Sequence, residues 1–290
     1  MNTRDKIMTF SAKILCDSVT ENDDRLTTLE VTFPRIVLSE FNTHRMFSRN
    51  SASSRAIPVE KMLKLVKENT YIPSHWGKNQ KGMSAEFTVE QNEQMKSRDV
   101  WLKARDNAIS SAENLLKLGI HKQITNRLLE PFMWHTVIVS ATDWSNFFAL
   151  RCHPGAHPDI RQIAEMMKFV INGSEPKPMY EHDWHMPLID HDDINMTMKM
   201  IDEDVYQYDN ELLKKISVGR CARVSYLTHD GKRDHNADIN LHDKLLSDGH
   251  MSPFEHIARP MYNDEYKKSK YSGNFRGWVQ YRKTLIGECK

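Results

Sequence analysis

Cysteine is scarce in this sequence: Cys16, Cys152, Cys221 and Cys289 are the only four in 290 residues, widely spaced and with no C-x-x-C pair. That excludes a disulfide-dense scaffold and fits a reduced, cytoplasmic setting. An excess of either charge is also missing, because 40 Lys and Arg oppose 39 Asp and Glu for a formal net charge of +1. No diffuse field therefore draws the chain to a nucleic acid polymer or an anionic membrane, and any anion it binds must be gripped by a local cluster. No apolar run approaches the roughly 20 residues of a bilayer span. The mean hydropathy is −0.62, and the opening MNTRDKIMTF lacks the apolar stretch of a signal peptide. There is no repeat of fixed period and no low-complexity tract. What the chain does have is 39% hydrophobic residues, enough to fill a sizeable core in one large domain or two small ones.

Patterning predicts two strands near the start, Ser11 to Cys16 and Leu26 to Phe33, the second alternating Leu29, Val31 and Phe33 among β-branched neighbours. Pro34 ends that ladder and suits a helix start. Leu38, Phe41 and Arg45 then follow helical spacing, so a short helix carrying His44 and Arg45 is expected, followed by a polar, serine-rich loop. Residues 71 to 90 read as a surface loop or lid, and the stripe Trp101, Ala104, Ala108, Ala112, Leu115 as a helix closed by Gly119. Two more helices are marked by Trp144, Phe147, Phe148, Arg151 and, after Pro158, by Ile160, Ile163, Ala164, Met167, Ile171. The stretch from Asn172 to Tyr208 reads as an irregular crossover, CARVSYL as a short strand, and DINLHDKLLSDG as a helix with a glycine stop.

Two constellations carry chemistry. Arg151 falls on the apolar face set by Trp144, Phe147 and Phe148, and a cation facing a core needs an anionic partner. It either satisfies the C-terminal dipole of its helix and snorkels to water, or it points into a ligand pocket. In THRMFSRNSASSRAIP, His44, Arg45, Arg49 and Arg55 interleave with Ser48, Ser51, Ser53 and Ser54. Hydroxyls and guanidinium forks in one turn suit phosphate oxygens, although a solvated serine-rich turn shares the composition. EHDWHMPLIDHDD gathers His182, Asp183, His185, Asp190 and His191 without any recognised zinc spacing, and reads as a solvated crossover with capping aspartates. Met196, Met198 and Met200 alternate as a short packed strand or part of an interface would.

The run His44-Arg45, Ser48, Asn50, Ser53, Arg55 resembles the R-H-R-x-x-S-x-N-E-x-S-x-R signature of the flavin-dependent thymidylate synthases. Arg127-Leu-Leu-Glu-Pro131 is similar to that family's A-R-x-x-L-P step, and residues 145 to 164 are similar to its N-F-L-x-L-R-x-x-x-x-A-Q-x-E-I-R helix pair. A third family element, G-H-x-S-P-x-E-H, precedes the signature in usual members but lies at residues 249 to 256 here, so the chain looks circularly permuted. The sequence departs from the pattern at Thr43, at Ser51 and at Ser140-Ala141-Thr142. The strip Arg276, Gln280, Arg282, Lys283 is a candidate replacement for the contacts so lost.

The resemblance implies a mixed α/β (α+β) fold, a helix-rich body on a small, largely antiparallel sheet. It implies one domain, with 1–188 bearing the signature and arginine helix and 189–290 completing the site. It implies reductive methylation of dUMP at C5 to dTMP with FAD, NADPH and 5,10-methylenetetrahydrofolate, in a homotetramer with shared sites. By resemblance Arg151 activates the pyrimidine, Ser53, Ser54, Arg55 and Arg127 bind the nucleotide, and His44, Arg45, Asn146 and His256 contact flavin, with no metal. One-carbon transfer to another pyrimidine nucleotide such as dCMP, or a catalytically silent nucleotide-binding protein, remain alternatives. A thiolate mechanism has only Cys152, beside Arg151, as a candidate.

Overall fold

The computed structural model describes residues 8–288 apart from 86, 203–204, 229–232, 263 and 272, and only the backbone at 199–202 and 205–206. Cys289 and the side chain of Met200 lie outside the described residues. The main sheet comprises β1 (Ser11–Thr20), β2 (Arg25–Pro34), β3 (Ser48–Ser51), β4 (Trp134–Ala141) and β5 (Lys177–Met179), in the order β3-β4-β2-β1-β5. All neighbours are antiparallel except β1 with β5. Around it lie α1 (Leu38–Asn42), α2 (Val59–Glu68), α3 (Gln91–Lys117), α4 (Lys122–Thr125), α5 (Ser145–Arg151), α6 (Pro158–Asn172), α7 (His191–Thr197), α8 (Asn210–Arg223) and α9 (His235–Asp248). The hairpin β6 (Met198–Asp202) and β7 (Val205–Tyr208), and the pair β8 (Ala258–Pro260) and β9 (Trp278–Gln280), complete the strands. The mixed fold expected from the sequence is the one observed, and among the described residues no helix is long and apolar enough to cross a membrane.

Alternation in β2 and β4 gives the sheet two different faces. Leu29, Val31 and Phe33 join Val137, Val139 and Ala141 on one side and bury against Phe41, Phe147 and the Ile160, Ile163, Ala164, Met167, Ile171 stripe of α6. The opposite side carries hydroxyls. Thr28 and Ser140 lie 2.6 Å apart and Thr32 and Thr136 3.0 Å apart, oxygen to oxygen. Cys16, Thr28, Ser140 and Ser48 stand in register across β1, β2, β4 and β3.

The chain from His185 onward closes over that row. The two nitrogens of His185 bond Thr28 at 2.8 Å and Ser18 at 2.9 Å, His256 Nδ1 bonds Ser140 at 2.8 Å, and Gln280 Nε2 donates to Ser48 at 3.0 Å. Polar groups can be buried here because each hydroxyl finds a partner. Burial pushes the pKa of both His185 and His256 down to about 3, so both rings are neutral.

A second apolar cluster joins α2 and α3 to the 3-10 stretch Asn126–Phe132, through Met62, Val66, Ile109, Ala112, Leu129 and Phe132. Gly119 and Gly249 stop α3 and α9 as expected, at φ +74 and +75.

Several local expectations fail for physical reasons. α1 ends at Asn42, so His44 and Arg45 lie in the turn beyond it. The serine-rich stretch is not simply a loop: Ser48–Ser51 pair with β4 as the sheet's edge strand, with Ser48 and Asn50 buried and Arg49 and Ser51 half-buried. CARVSYL is the end of α8 plus a 3-10 turn, not a strand. Its helix is held by partners distant in sequence, Arg220 on Asp193 (2.7 Å) and Asp238 (3.2 Å), and Arg223 on Asp238 (2.5 Å). Gly219 permits the crossing with α9, since a Cβ there would stand 2.4 Å from the Asp238 carbonyl oxygen. The crossover contains β5, α7 and a hairpin. Asp190 does cap α7, but His185 is fully buried rather than solvated.

Candidate functional site

Strand β3 forms one wall of an open groove of about 350 Å³. Arg35, which opens the turn after Pro34, Arg49 of β3 and Arg127 all line it. So do the hydroxyl residues Ser51, Ser53, Ser54, Ser225 and Ser252. The sequence brings these together through one buried amide. Asn126 Nδ2 donates to the carbonyls of Ser54 (2.8 Å) and Ile57 (2.9 Å), which staples the serine turn to the 3-10 stretch and sets Arg127 beside Ser54. Ser252 Oγ, 203 residues downstream, donates to the Arg49 carbonyl at 3.1 Å, and Ser53 N donates to the Ser225 carbonyl at 3.0 Å.

The guanidiniums are held from behind. Arg35 Nη1 donates to His135 Nδ1 at 2.9 Å, and that ring is neutral because burial, then the Arg35 charge, pushes its pKa down to about 3. Arg49 Nη1 reaches the Phe41 carbonyl at 3.4 Å. From the adjoining cleft one carboxylate oxygen, Glu130 Oε1, meets three residues of the groove wall: Arg35 Nη2 at 2.9 Å, Arg127 Nη1 at 2.8 Å and Ser54 Oγ at 2.5 Å. Arg55 is exposed and does not line the groove.

Arg151 closes α5 and is half-buried. Its Nε donates to His44 Nε2 at 3.0 Å, and its Nη2 donates to Thr43 Oγ1 at 3.1 Å and the Glu40 carbonyl at 3.3 Å. It satisfies one carbonyl oxygen at a helix end, though that of Glu40 in α1 rather than one of its own helix, and its Nη1 is left without a protein partner among the described residues. His44 is 8% exposed, wedged edge-on against Phe147 at 4.8 Å. Burial, reinforced by the charges of Arg151 and Arg49, lowers its pKa to about 4. A neutral His44 thus lies between the groove arginine and the α5 arginine. Arg45 and Asn146, next in sequence to His44 and Phe147, are exposed. His256 is enclosed behind the sheet, and its Nε2 has no hydrogen-bond partner among the described residues.

A family model described as thymidylate synthase complementing protein matches residues 24–177, more than half of the chain. The chain belongs to that family. The family match spans β2 to β5 and so includes the serine turn, Arg127 and the α5 arginine, but stops short of the 249–256 element. A curated relative, the flavin-dependent thymidylate synthase of Aquifex aeolicus (strain VF5), is 28% identical over 179 residues, 58% of this chain and 53% of the relative. The chain therefore spans about half the length of the curated relative it matches. Two solved structures of a UMP/dUMP methylase PolB from Streptomyces cacaoi, bound with 5-Br dUMP and with 5-Br UMP, share 14% identity. They cover 57% of this chain and 91% and 89% of their own, at a TM-score of 0.47, a likeness too slight to carry an argument.

For this family member the sequence singled out Ser53, Ser54, Arg55 and Arg127 as a group; Ser53, Ser54 and Arg127 share the groove, and Arg55 does not line it. It passed over Arg35, Glu130, Ser225 and Ser252, which come from four separate segments. Glu130 carried a signal as an acid within the arginine step, and Ser252 as the serine of the 249–256 element, whereas Arg35 and Ser225 carried none. In the C-terminal strip, Gln280 reaches Ser48, while Arg282 pairs with Glu255 and Glu288, and Lys283 with Glu288. Burial raises the pKa of Cys16 to about 11 and also raises those of Cys152 and Cys221, so none of the three is poised as a thiolate. Among the described residues no group of three His, Cys, Asp or Glu is placed to hold a metal.

Proposed function

We propose that the chain is a flavin-dependent thymidylate synthase that methylates dUMP at C5 to dTMP, with 5,10-methylenetetrahydrofolate as carbon donor and NADPH as reductant. The observation that carries this reading is the groove lined by Arg35, Arg49 and Arg127 and a run of serine hydroxyls, in which Arg35, Arg127 and Ser54 share one carboxylate, Glu130. That excess of donors suits a terminal phosphate. Ser53, Ser54 and Arg127 would hold the phosphate, with Arg55 at the rim of the serine turn. Arg151 would present Nη1 to the pyrimidine edge, where a partly desolvated guanidinium stabilises negative charge on the ring and makes C5 nucleophilic. The raised thiol pKa values speak against a cysteine nucleophile.

The donor set also fits FAD. An exposed guanidinium, Arg45, and carboxamide, Asn146, flank the buried contact of His44 with Phe147, a setting suited to an anionic aromatic cofactor. Flavin would supply the redox chemistry and the relay of the one-carbon unit. His256, 0% exposed and bonded to Ser140 on the side of the sheet opposite His44, would meet the flavin only after its enclosing contacts open. Residues 1–188 and 189–290 would work as one domain, the second being a permuted family element that docks on β3 through Ser252. Leu150 on α5 and Phe169 on α6, 54% and 79% exposed, are consistent with a tetramer that shares its sites.

The test is turnover of purified, FAD-loaded protein with labelled dUMP, methylenetetrahydrofolate and NADPH, followed by tritium release from C5 and product mass. Formation of dTMP is the expected result. Product from dCMP and none from dUMP would move the assignment to another pyrimidine, and binding of dUMP without turnover would make the protein a silent nucleotide binder.

A further inference from the structure

We propose that Glu130 is a specificity-determining residue: in the free protein its carboxylate occupies the donor set that a ligand's terminal phosphate takes, so that only a phosphomonoester displaces it. The inference rests on the groove being the nucleotide site and concerns a residue of this chain that stands where the resembling motif has leucine.

Glu130 Oε1 alone receives Arg35 Nη2 at 2.9 Å, Arg127 Nη1 at 2.8 Å and Ser54 Oγ at 2.5 Å, and the residues of all three donors line the groove. One carboxylate oxygen with three donors imitates one phosphate oxygen. The donors remain in place without it. Arg35 is anchored through Nη1 to His135, and Ser54 is fixed through its carbonyl by Asn126. Arg127 is half-exposed and free to follow a ligand. The carboxylate has somewhere to go, because Glu130 reaches these donors from an adjoining cleft of about 410 Å³, which it lines and which shares Arg35 and Leu38 with the groove.

A carboxylate held at hydrogen-bond distance from the bound anion would repel it in a setting screened less than bulk water. A neutral nucleoside gains nothing by opening the Glu130 contacts. A phosphodiester, with one charge and two free oxygens, gains less than a dianion with three. The internal acid therefore costs every ligand some affinity, and a terminal phosphate recovers the most.

The test is calorimetric titration of inorganic phosphate, dUMP and deoxyuridine into the full chain and into Glu130→Gln, with the melting temperature of each confirming the fold. Phosphate and dUMP should bind Glu130→Gln at least about tenfold more tightly, and deoxyuridine equally to both proteins. Phosphate affinity that is equal in the two proteins, weaker in the variant or undetectable in it would overturn the proposal, since Glu130 would then organise the guanidiniums instead of competing with the ligand. A Glu130→Leu variant removes the acid and the hydrogen bonds together, and it should also bind phosphate more tightly than the parent. Tighter phosphate with no dUMP binding to either protein would refute the nucleotide reading and leave the role of Glu130 intact. Equal phosphate affinity with dUMP bound by both would do the reverse.

Discussion

Two assemblies of arginine and carboxylate lie in this molecule, and their balance differs. Between α7, α8 and α9, Arg220 and Arg223 meet Asp193 and Asp238, and the cluster is buried, with Asp193 1% and Asp238 0% exposed. At the groove, Arg35 and Arg127 share the one carboxylate of Glu130, in the open, and Arg49 feels the charge of Glu255. The first is satisfied internally and can only hold helices together. The second keeps donors in surplus, and a surplus of open guanidinium and hydroxyl donors suits the arrival of an anion. Guanidinium and carboxylate side chains thus serve cohesion in one place and recognition in the other, and the count of partners separates the two.

Removing Asp193 should break the comparison most visibly. Asp193→Ala strands Arg220 in a buried site, and stability to urea should fall by about 3–5 kcal/mol with phosphate affinity unchanged. A loss below about 1 kcal/mol would mean the cluster is not the structural one.

Acid should sharpen the contrast next. Burial disfavours ionised Asp193, but hydrogen bonds from Arg220, the Asp190 backbone and His235, with the Arg220 charge, outweigh it and hold the carboxyl well below the usual range. Its contribution is therefore present above the ordinary carboxylate pKa and is lost only as pH falls through its own, lower value. His135 behind the groove and His185 and His256 on the sheet have pKa values pushed down to about 3, so the unfolded chain takes up their protons first, below about 6.5. Stability should fall by about 1 kcal/mol per histidine between pH 6.5 and 5.5, before the ionic cluster responds. Urea unfolding at those pH values measures it, and His185→Gln should flatten the slope by one histidine's share.

The smallest effect belongs to the rim of the groove. Arg127→Ala should shift stability by less than about 0.5 kcal/mol while weakening phosphate or dUMP binding about tenfold. Unchanged binding would place the anion elsewhere.

Much of this was legible in the residues. The alternation of Leu29, Val31 and Phe33 and the stripe from Ile160 to Ile171 each see one uniform environment, so periodicity reports them faithfully. The serine turn with Arg127 was legible as a group because its members fill the same spacing as a known signature. Val224 and its neighbours misled because their helix depends on Asp193 and Asp238, which no local window contains. Arg35 and Ser225 were invisible for a related reason: an arginine after a proline and a serine in an apolar run look ordinary until tertiary contacts aim them into one groove. His185 looked like a member of an acidic, solvated run, yet it fills a slot between Ser18 and Thr28.

The bond from Ser252 to the Arg49 carbonyl has a temporal consequence. Those residues are 203 positions apart, so at about 5–20 residues per second a ribosome releases the edge strand roughly 10 to 40 s before the segment that clamps it. A nascent chain passes that interval with the hydroxyl-bearing side of its sheet uncapped, and the gap between emergence and capture is the period in which a chaperone would find this protein.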